Sequence, residues 1–422
     1  MLDIKFIKEN PQLVIDSMNN KGDKNTQLVH QLFEKDEQWR QLVHQIDVLR
    51  AKSNKSAKQI GTLMASGKKE EAQTIIQETS RSKSALNELE EQLNIIAEKR
   101  TSLLLSIPNV AHISVPIGHS EEDNQVFGTW GTINTQSWLK PHWDILERQG
   151  WLDFKRGVKV TGAGFPFYLG PLAQLQRALI HFFIDEANKA GYVEMQVPYL
   201  VNEDSARGTG QIPDKEDMMY EIPRDAFFAI PTAEVPVTNF HRDEILSEEQ
   251  LPLRYVCHTP CWRREAGSYG KDVRGLNRLH QFEKVELVHF VKPDESYETL
   301  ESLREHVESL LQKLGLAYQT LLMCTGDMGF TQSKKYDIEV WSPGQQRWLE
   351  VSSCSNFEAF QARRMQLRYR KEEKVTEMVH TLNGSGLALP RVLSAIVETY
   401  QTENGRIRVP DILKKYIDRE YL

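Results

Sequence analysis

The chain has 422 residues, of which 40% are hydrophobic and 26% charged, and its formal net charge at pH 7 is −7. That length predicts two domains, since single domains usually span about 100–200 residues. The first residues lack the pattern of a secretion signal, no apolar run approaches the roughly 18 residues of a membrane span, and the four cysteines are too few and too unevenly placed for the disulfide framework expected of a secreted protein. We therefore expect a cytoplasmic protein and no membrane association.

The N-terminal quarter has the composition of long helices. Residues 27–106 contain no proline, and apolar side chains recur there at spacings of three and four. The seam is formed by Trp39, Val43 and Ile46 in the first half and by Leu86, Leu89, Leu93, Ile96 and Leu103 in the second, where Arg100 interrupts it. We predict an antiparallel two-helix hairpin on the order of 60 Å long, reversing near residues 62–70.

A basic block lies close to that reversal. Between Val48 and Lys69 there is no acidic residue, and the cations are Arg50, Lys52, Lys55, Lys58, Lys68 and Lys69. One interpretation is a phosphate-binding patch, and the alternative is a dimerisation coiled coil with a solvated lysine face.

The remaining sequence predicts an α+β fold. Residues 108–125 are rich in proline, glycine and acidic residues and are predicted to link an N-terminal domain at 1–107 to a second domain at 126–422. In that second domain helical patterns alternate with β-rich runs, several of which are joined by loops too short for crossover helices. A mainly antiparallel sheet flanked by helices follows.

The first candidate motif is a helix followed by a strand. The helix opens at Gly170-Pro171 and stops at Gly191, and Met195 to Pro198 follow it. A proline at a strand end suits a sheet edge or an interface, so a dimer element and a plain core helix are both compatible with the pattern.

The second motif reads as strand, loop and strand, over residues 259–267 and 280–286. With a period of two, Arg263 and Glu265 share one face of the first strand, and Phe282 and Glu286 share one face of the second. A guanidinium, a carboxylate and an aromatic ring suit the phosphate, exocyclic amine and base of a nucleotide. The alternative is an ordinary salt-bridged hairpin.

The third motif, residues 383–391, leads into an apolar helix. Its glycines could allow close backbone approach to a ligand, and Pro390 places Arg391 in the helix's first turn, where anions are favoured. Elsewhere, Cys257 and Cys261 form a C-x3-C pair without a matching second half, so buried thiols are expected rather than zinc.

Together, in this order, the three segments resemble the signature motifs of class II aminoacyl-tRNA synthetases. Residues 231–236, 264–268, 280–286, 352–357, 360–364 and 383–386, with the helical hairpin, resemble bacterial-type seryl-tRNA synthetases over nearly the whole chain. The resemblance implies activation of L-serine with ATP to seryl-adenylate and transfer of serine to tRNA(Ser), with tRNA(Sec) as a second expected acceptor. It also implies a homodimer.

The resemblance assigns roles to individual residues. Arg263, Glu265 and Arg391 are the expected catalytic residues, contacting the α-phosphate, the adenine amine and the γ-phosphate, with Phe282 stacking on the purine. The expected ATP-binding set is Arg263, Arg264, Glu265, Phe282, Glu350, Val351, Ser352, Ser353 and Arg391. Glu350 and Ser353 would hold Mg²⁺, although in a regular strand they point to opposite faces, so a bend, a bulge or a water is required.

The resemblance also implies a serine pocket and an RNA-binding arm. The serine-binding residues would be Thr232, Ala233, Glu234, Glu286 and Ser385, and the six cations of the basic block would contact the tRNA backbone. Two other functions remain as alternatives: an adenylate-forming enzyme that loads a carrier protein, and an inactive RNA-binding paralogue. The basic hairpin argues against the first, and the joint presence of Arg263, Glu265, Glu350 and Arg391 argues against the second.

Overall fold

The computed structural model describes residues 1–214, 218–264 and 274–422. The chain divides into two compact units. The helical unit comprises residues 2–19 and 23–107, and the sheet unit comprises Met1, residues 20–22 and residues 108–422. In the described ranges, every helix is too short or too polar to cross a membrane.

Two long helices dominate the helical unit. Its helices are α1 (Ile4–Glu9), α2 (Pro11–Asn20), α3 (Gln27–Ala65) and α4 (Lys69–Ser106). Helices α3 and α4 pack against each other and reverse at residues 66–68, where Gly67 adopts a positive φ of 76° that costs a glycine little. Cross-helix pairs such as Arg50 with Glu90 show that the two helices are antiparallel. The predicted hairpin is confirmed.

Asp36 explains the interruption of the hydrophobic seam. The Arg100 Nε lies 2.6 Å from the Asp36 Oδ1, and the Arg100 guanidinium stacks over the Trp39 ring at 4.9 Å. Lys8 and Arg40 also pair with Asp36, whose side chain is 1% exposed. Arg100 thus occupies a seam position because it neutralises a carboxylate buried between the helices.

The sheet unit contains sixteen strands and nine helices within its described residues. The strands are β1 (Gln125–Trp130), β2 (Leu152–Asp153), β3 (Phe167–Tyr168), β4 (Val193–Met195), β5 (Leu200–Val201), β6 (Tyr220–Ile222), β7 (Phe227–Ala229), β8 (Ile245–Ser247), β9 (Leu253–Trp262), β10 (Gln281–Val291), β11 (Tyr318–Leu322), β12 (Lys334–Ser342), β13 (Arg347–Asn356), β14 (Arg368–Glu372), β15 (Val375–Met378) and β16 (His380–Ala388). The helices are α5 (His142–Arg148), α6 (Phe154–Val160), α7 (Pro171–Lys189), α8 (Glu203–Thr209), α9 (Glu234–Asn239), α10 (Ser296–Lys313), α11 (Phe360–Met365), α12 (Leu389–Thr399) and α13 (Lys414–Ile417).

Eight strands form the main sheet, in the order β1-β11-β12-β13-β16-β10-β9-β4. All neighbouring pairs are antiparallel except β4 with β9. Apolar side chains of α7, α10 and α12, such as Leu179, Leu303 and Leu393, are buried against the sheet in one core cluster. Each such leucine contributes roughly 1.5–3 kcal/mol by leaving water. The predicted α+β fold with a mainly antiparallel sheet is confirmed.

Two bulges interrupt the central strands. In β13 the register with β12 shifts so that Val351 is an extra residue, and Glu350 and Ser353 then both face the same cavity. In β16 the register with β10 shifts at Gly386 and Leu387. Leu387 has a φ of 97°, and a positive φ is uncommon for any residue other than glycine. A bulge changes the direction in which neighbouring side chains point, and both of these bulges lie next to the same candidate site.

The third motif's first glycine has a packing role. Residues 383–386 lie in β16, whose ladder with β13 runs only from Leu382 to Gly384. A Cβ on Gly384 would lie 3.1 Å from both the Cys354 Sγ and the Leu303 Cδ1. A side chain at this position would therefore press on the packing between α10 and the sheet, which gives the glycine a packing role.

The predicted linker packs onto the sheet unit. Asn109 is buried and donates from its Nδ2 to the carbonyl oxygens of Thr331 and Phe357 at 3.0 and 2.9 Å. Val115 packs with Met323 and Met328 in a small apolar cluster. Residues 108–125 are therefore held by specific contacts over much of their length.

Candidate active site

A polar cavity of about 310 Å³, here called the phosphate cavity, opens on the face of the main sheet. It is lined by Arg263, Leu276, Asn277, Arg278, Leu279, Phe282, Lys284, Glu350, Val351, Ser352, Ser385, Ala388, Pro390 and Arg391. Four of these side chains are cationic and one is anionic, so the cavity suits a polyanion.

Two arginines reach this cavity from different elements. Arg263 follows directly after β9, and its guanidinium lies over the Phe282 ring at 5.3 Å. Arg391 lies in the first turn of α12, as Pro390 predicted, and its Nη1 donates to the Glu350 carbonyl oxygen at 2.7 Å. The Glu350 carboxylate is 3.7 Å from the same nitrogen. Arginine, aromatic ring and carboxylate therefore meet in one hollow.

A second cavity of about 310 Å³, the inner pocket, adjoins the first and shares Arg263, Arg278, Lys284, Glu350 and Ser385 with it. Its wall also includes Gln211, Met218, Met219, Pro231, Thr232, Glu234, Glu286, Gln332, Lys335, Ser353, Ser355, Phe357 and Asn383. The pocket is small and densely polar, which suits a compact ligand with several hydrogen-bonding groups.

Lys284 organises the floor of the inner pocket. Its ammonium nitrogen lies 2.5 Å from the Glu286 carboxylate and donates to the Thr232 hydroxyl at 2.8 Å. The Thr232 oxygen also accepts the Glu234 N–H at 3.2 Å, and Ser385 donates to Glu286 at 3.4 Å. With its oxygen accepting twice, Thr232 has its own O–H left to donate into the pocket.

The charges around Glu350 act on its ionisation. Burial disfavours the ionised form, but Arg391, Lys335, Arg263 and Lys284 outweigh it and lower the pKa of the Glu350 carboxyl. Asp337 lies opposite Ser353 in the ladder between β12 and β13, and its pKa is shifted in the opposite direction. Burial raises the pKa of the Asp337 carboxyl, and the Lys335 ammonium at 2.9 Å opposes that rise only in part. Glu350 is thus kept as an anion beside the cations.

Some predicted site residues are placed apart from the cavities. Arg264 is exposed and lines neither of them, and Glu265 lies outside the described residues. Ala233 is fully buried in an apolar cluster, so only its backbone could face a ligand. Val351 and Ser352 do line the phosphate cavity, although Val351 belongs to the apolar core and the Ser352 hydroxyl already donates to the Ser385 carbonyl at 2.6 Å. The remaining predicted ATP and serine residues line one or both cavities.

Several cations that line the two cavities were not predicted from the sequence. Lys284 could have been predicted, because it lies two residues from both Phe282 and Glu286, and side chains two residues apart in a strand share one face. Arg278 and Lys335 could not have been predicted, because nothing in their local sequence indicates that they lie beside motifs that are distant in the chain.

The candidate zinc pair consists of buried thiols. Cys257 and Cys261 lie in β9 with side chains excluded from solvent, and burial raises the pKa of both. Among the residues that the structure describes, no group of three histidine, cysteine or acidic side chains could hold a metal.

The six cations of the basic block are all exposed on α3, α4 and the turn between them. Arg50 pairs with Glu90 across the hairpin, and Lys68 pairs with Glu71. Lys52, Lys55 and Lys58 form no ion pair with any residue in the described part of the chain. Their charges are available to an external partner.

Comparison with known proteins identifies the family. The chain is 54% identical to the serine–tRNA ligase of Salinibacter ruber over 418 residues, which cover 99% of this chain and 98% of that protein. This chain belongs to the seryl-tRNA synthetase family. The seryl-tRNA synthetase N-terminal domain matches residues 1–111, and the class II tRNA synthetase core domain (G, H, P, S and T) matches residues 220–400.

Further relatives agree with this family. The serine–tRNA ligase of Methylacidiphilum infernorum is 47% identical over 424 residues and covers both chains fully. A crystal structure of seryl-tRNA synthetase from Pyrococcus horikoshii complexed with ATP superposes with a TM-score of 0.93 at 36% identity, covering 100% of this chain and 99% of that one. The predicted family resemblance is confirmed.

Proposed function

We propose that this protein is a serine–tRNA ligase that activates L-serine with ATP and transfers the seryl group to tRNA(Ser), with tRNA(Sec) as a second acceptor. The observation that carries the proposal is the junction of the two cavities. Arg263, Lys284 and Glu350 line both, so a polyanion in one would meet a small polar ligand in the other. Membership of the seryl-tRNA synthetase family supports the same reaction.

In the phosphate cavity the protein would act by positioning and charge. Arg263 is placed where the two cavities meet, so its guanidinium would neutralise charge that develops at the α-phosphate as the serine carboxylate attacks. Arg391 would hold the γ-phosphate from the start of α12, and Phe282 would stack on the purine. The proposed adenine contact of Glu265 lies outside the described residues. Pyrophosphate leaves, and no side chain forms a covalent intermediate.

The donor set fits Mg²⁺ at Glu350 and Ser353. The bulge at Val351 turns both residues toward the inner pocket, and a carboxylate with a hydroxyl offers the hard oxygen ligands that Mg²⁺ prefers. The ion would neutralise phosphate charge. Because the pKa of Glu350 is lowered, its carboxylate stays ionised for this role at neutral pH.

The inner pocket would select serine by its hydroxyl. Glu286 and the Ser385 oxygen offer that hydroxyl acceptors, the Thr232 O–H offers it a donor, and Glu234 offers the ammonium a carboxylate. Alanine would leave these buried polar groups unpaired, which costs on the order of 10⁴-fold in activation efficiency. Threonine would instead have to be excluded by crowding around its extra methyl group.

Three further parts of the proposal concern partners and compartment. The exposed cations of the basic block would bind the tRNA backbone. A homodimer would form through the β4 edge of the main sheet, where Val193 is 60% exposed, and the cytoplasm is the proposed compartment. Light scattering at micromolar concentration should give twice the chain's mass of 48.7 kDa.

The deciding experiment is ATP–pyrophosphate exchange with serine, alanine and threonine as substrates, followed by charging of tRNA(Ser) and tRNA(Sec) transcripts. We expect exchange with serine, with alanine and threonine lower by about 10³-fold or more. Exchange that does not depend on an amino acid, or that prefers alanine or threonine, would contradict the assignment. Exchange without charging of either tRNA would favour a carrier-protein acceptor.

A further inference from the structure

A buried histidine outside the two cavities holds one wall of the phosphate cavity. His142, the first residue of α5, is inaccessible to solvent, and its Nε2 accepts the Leu276 N–H at 2.9 Å. A ring nitrogen that accepts carries no proton, so the ring is neutral and protonated at Nδ1. That nitrogen lies 2.8 Å from the Glu398 Oε1 and therefore donates to it.

Glu398, on α12, is fully buried and is held from several sides. It accepts the backbone N–H groups of His142 at 2.9 Å and Gly344 at 3.0 Å, the Gln345 side-chain amide at 3.1 Å, and the Ser342 hydroxyl. A carboxylate with this many donors keeps a fixed orientation, so it fixes the orientation of the imidazole as well.

The same contacts lead to the phosphate cavity. Residues 276–279, which begin at the Leu276 N–H held by His142, line its wall. The Asn277 carbonyl accepts the Arg391 Nε at 3.1 Å, and the Asn277 amide donates to Gln345 at 2.9 Å. Arg391 and Glu398 are both on α12, so His142, Leu276, Asn277, Arg391 and Glu398 form a closed ring of contacts.

Gly275 shows how closely the backbone approaches the imidazole. A Cβ at this position would lie 2.2 Å from the His142 Nε2, and its φ is 66°. Any side chain would displace the ring or the segment, so the hydrogen bond to Leu276 depends on glycine at this position.

We infer that His142 and Glu398 are positioning residues for ATP activation: they hold residues 276–279 and the Arg391 guanidinium in the arrangement that receives the triphosphate. This inference rests on the proposed function. Neither side chain lines either cavity, and of the segment that they hold only Arg278 reaches the inner pocket, so serine binding should depend on them much less than ATP binding does.

The test uses two substitutions that divide the histidine's two roles. His142→Asn keeps a donor near the Nδ1 position but places no acceptor at the Nε2 position, whereas His142→Gln can extend an acceptor to Leu276. In the full-length enzyme, well below its unfolding temperature, we expect His142→Asn to raise the KM for ATP in pyrophosphate exchange by about tenfold. The KM for serine should stay within twofold, and His142→Gln should recover part of the loss.

His289→Asn is the matched control. His289 is another buried histidine, whose ring forms one hydrogen bond within the described residues, between its Nε2 and the Tyr192 hydroxyl at 2.7 Å, and it lines neither cavity. It should lower the unfolding temperature without changing the KM for ATP. If His142→Asn behaves in the same way, its role is purely structural and the inference is wrong.

Two provisions keep the test decisive. If His142→Asn does not fold, Gln345→Ala removes the amide that joins Asn277 to Glu398, together with its bonds to Ser342 and Arg347, and an unchanged KM for ATP in that variant overturns the inference. If the wild-type protein shows no serine-dependent exchange, the proposed function has failed. Direct calorimetry of ATP binding then compares the same variants, and equal affinities overturn the inference.

Discussion

At the scale of single residues, the inner pocket depends on a buried charge. Lys284 neutralises Glu286 and fixes the Thr232 hydroxyl, and its side chain is 7% exposed. Its neighbours on the strand, Phe282 and Glu286, were predicted from the alternation of side chains, and the same alternation would have included Lys284. By contrast, no pattern indicated that Ala233 would face the core.

Replacing Lys284 should impair serine activation. Lys284→Met leaves a buried carboxylate without its cation, and we expect kcat/KM for serine in pyrophosphate exchange to fall by about 100-fold or more. Lys292→Met, just beyond the end of β10 and pairing with Glu248 and Glu295, is the control and should keep near-normal activity. Normal serine kinetics in Lys284→Met would show that the ion pair does not shape the pocket.

Glu350 offers a test of the metal proposal. Glu350→Gln should lower exchange by about 100-fold and shift the Mg²⁺ dependence to higher concentrations, because an amide is a weaker ligand than a carboxylate. The pKa of Glu350 lies below its ordinary value, so its carboxylate stays charged as the pH falls from 8 to 6, and its titration should not raise the KM for ATP over that range.

The control for this substitution is Glu339→Gln. Glu339 faces Glu350 in the β12–β13 ladder and accepts from Gln319 at 2.7 Å, but it lines neither cavity. If activity depends on Mg²⁺ concentration identically in the wild type and in Glu350→Gln, Glu350 does not bind the metal.

At the scale of secondary-structure elements, sequence periodicity predicted most of the framework. The strand predicted at residues 280–286 lies almost wholly within β10, and the hairpin reverses inside the predicted interval. The bulges at Val351 and Leu387 could not be predicted, because a bulge reflects the register between strands that are distant in sequence. Glu350 and Ser353 face the same pocket because of the bulge at Val351.

Asp36 ties α1, α3 and α4 together at the base of the hairpin. Asp36→Asn removes the charge that Lys8, Arg40 and Arg100 share, and we expect a loss of about 2 kcal/mol of local stability. Hydrogen exchange of the backbone amides of α3 and α4 in the full-length protein measures this loss. Glu34→Gln, which changes an exposed carboxylate that pairs with Lys35 and accepts from Gln38, should change exchange little.

The pH dependence of this effect has a definite sign. Burial opposes ionisation of Asp36, but Lys8 and Arg100 outweigh it and lower the pKa of the carboxyl. Because the pKa of Asp36 is lower in the folded protein than in the unfolded chain, its ionised carboxylate stabilises the folded protein at every pH above the unfolded-state pKa. This stabilisation is lost as the pH falls through the folded-state pKa. The stability gap between wild type and Asp36→Asn should thus be constant above about pH 5 and shrink in acid. A gap that widens in acid would contradict this.

At the scale of the whole molecule, activation and tRNA charging should be separable. Deleting residues 40–90 removes the basic block, so tRNA charging should be lost while serine-dependent exchange survives. Charging that persists after the deletion would show that the arm does not bind tRNA.

A finer substitution tests the electrostatic part of that prediction. Replacing Lys52, Lys55 and Lys58 by glutamine should weaken tRNA binding and flatten its dependence on salt, since each phosphate contact contributes roughly −0.7 to −0.9 to the slope of log K against log salt. Lys99→Gln, an exposed lysine toward the other end of α4, should leave the slope unchanged.

The short ladder between β13 and β16 has a consequence for how ligands act on the protein. Beyond Cys354 and Gly384 the two strands separate, and the hydroxyl of Ser352 bridges them where backbone pairing stops. Residues of both strands beyond this ladder, among them Glu350, Ser353 and Ser385, line the phosphate cavity and the inner pocket, so the two cavities lie at the centre of the sheet. ATP and serine bound there resist global unfolding, so a saturating ligand at 100 times its Kd should add about 2.7 kcal/mol to the unfolding free energy of the entire sheet.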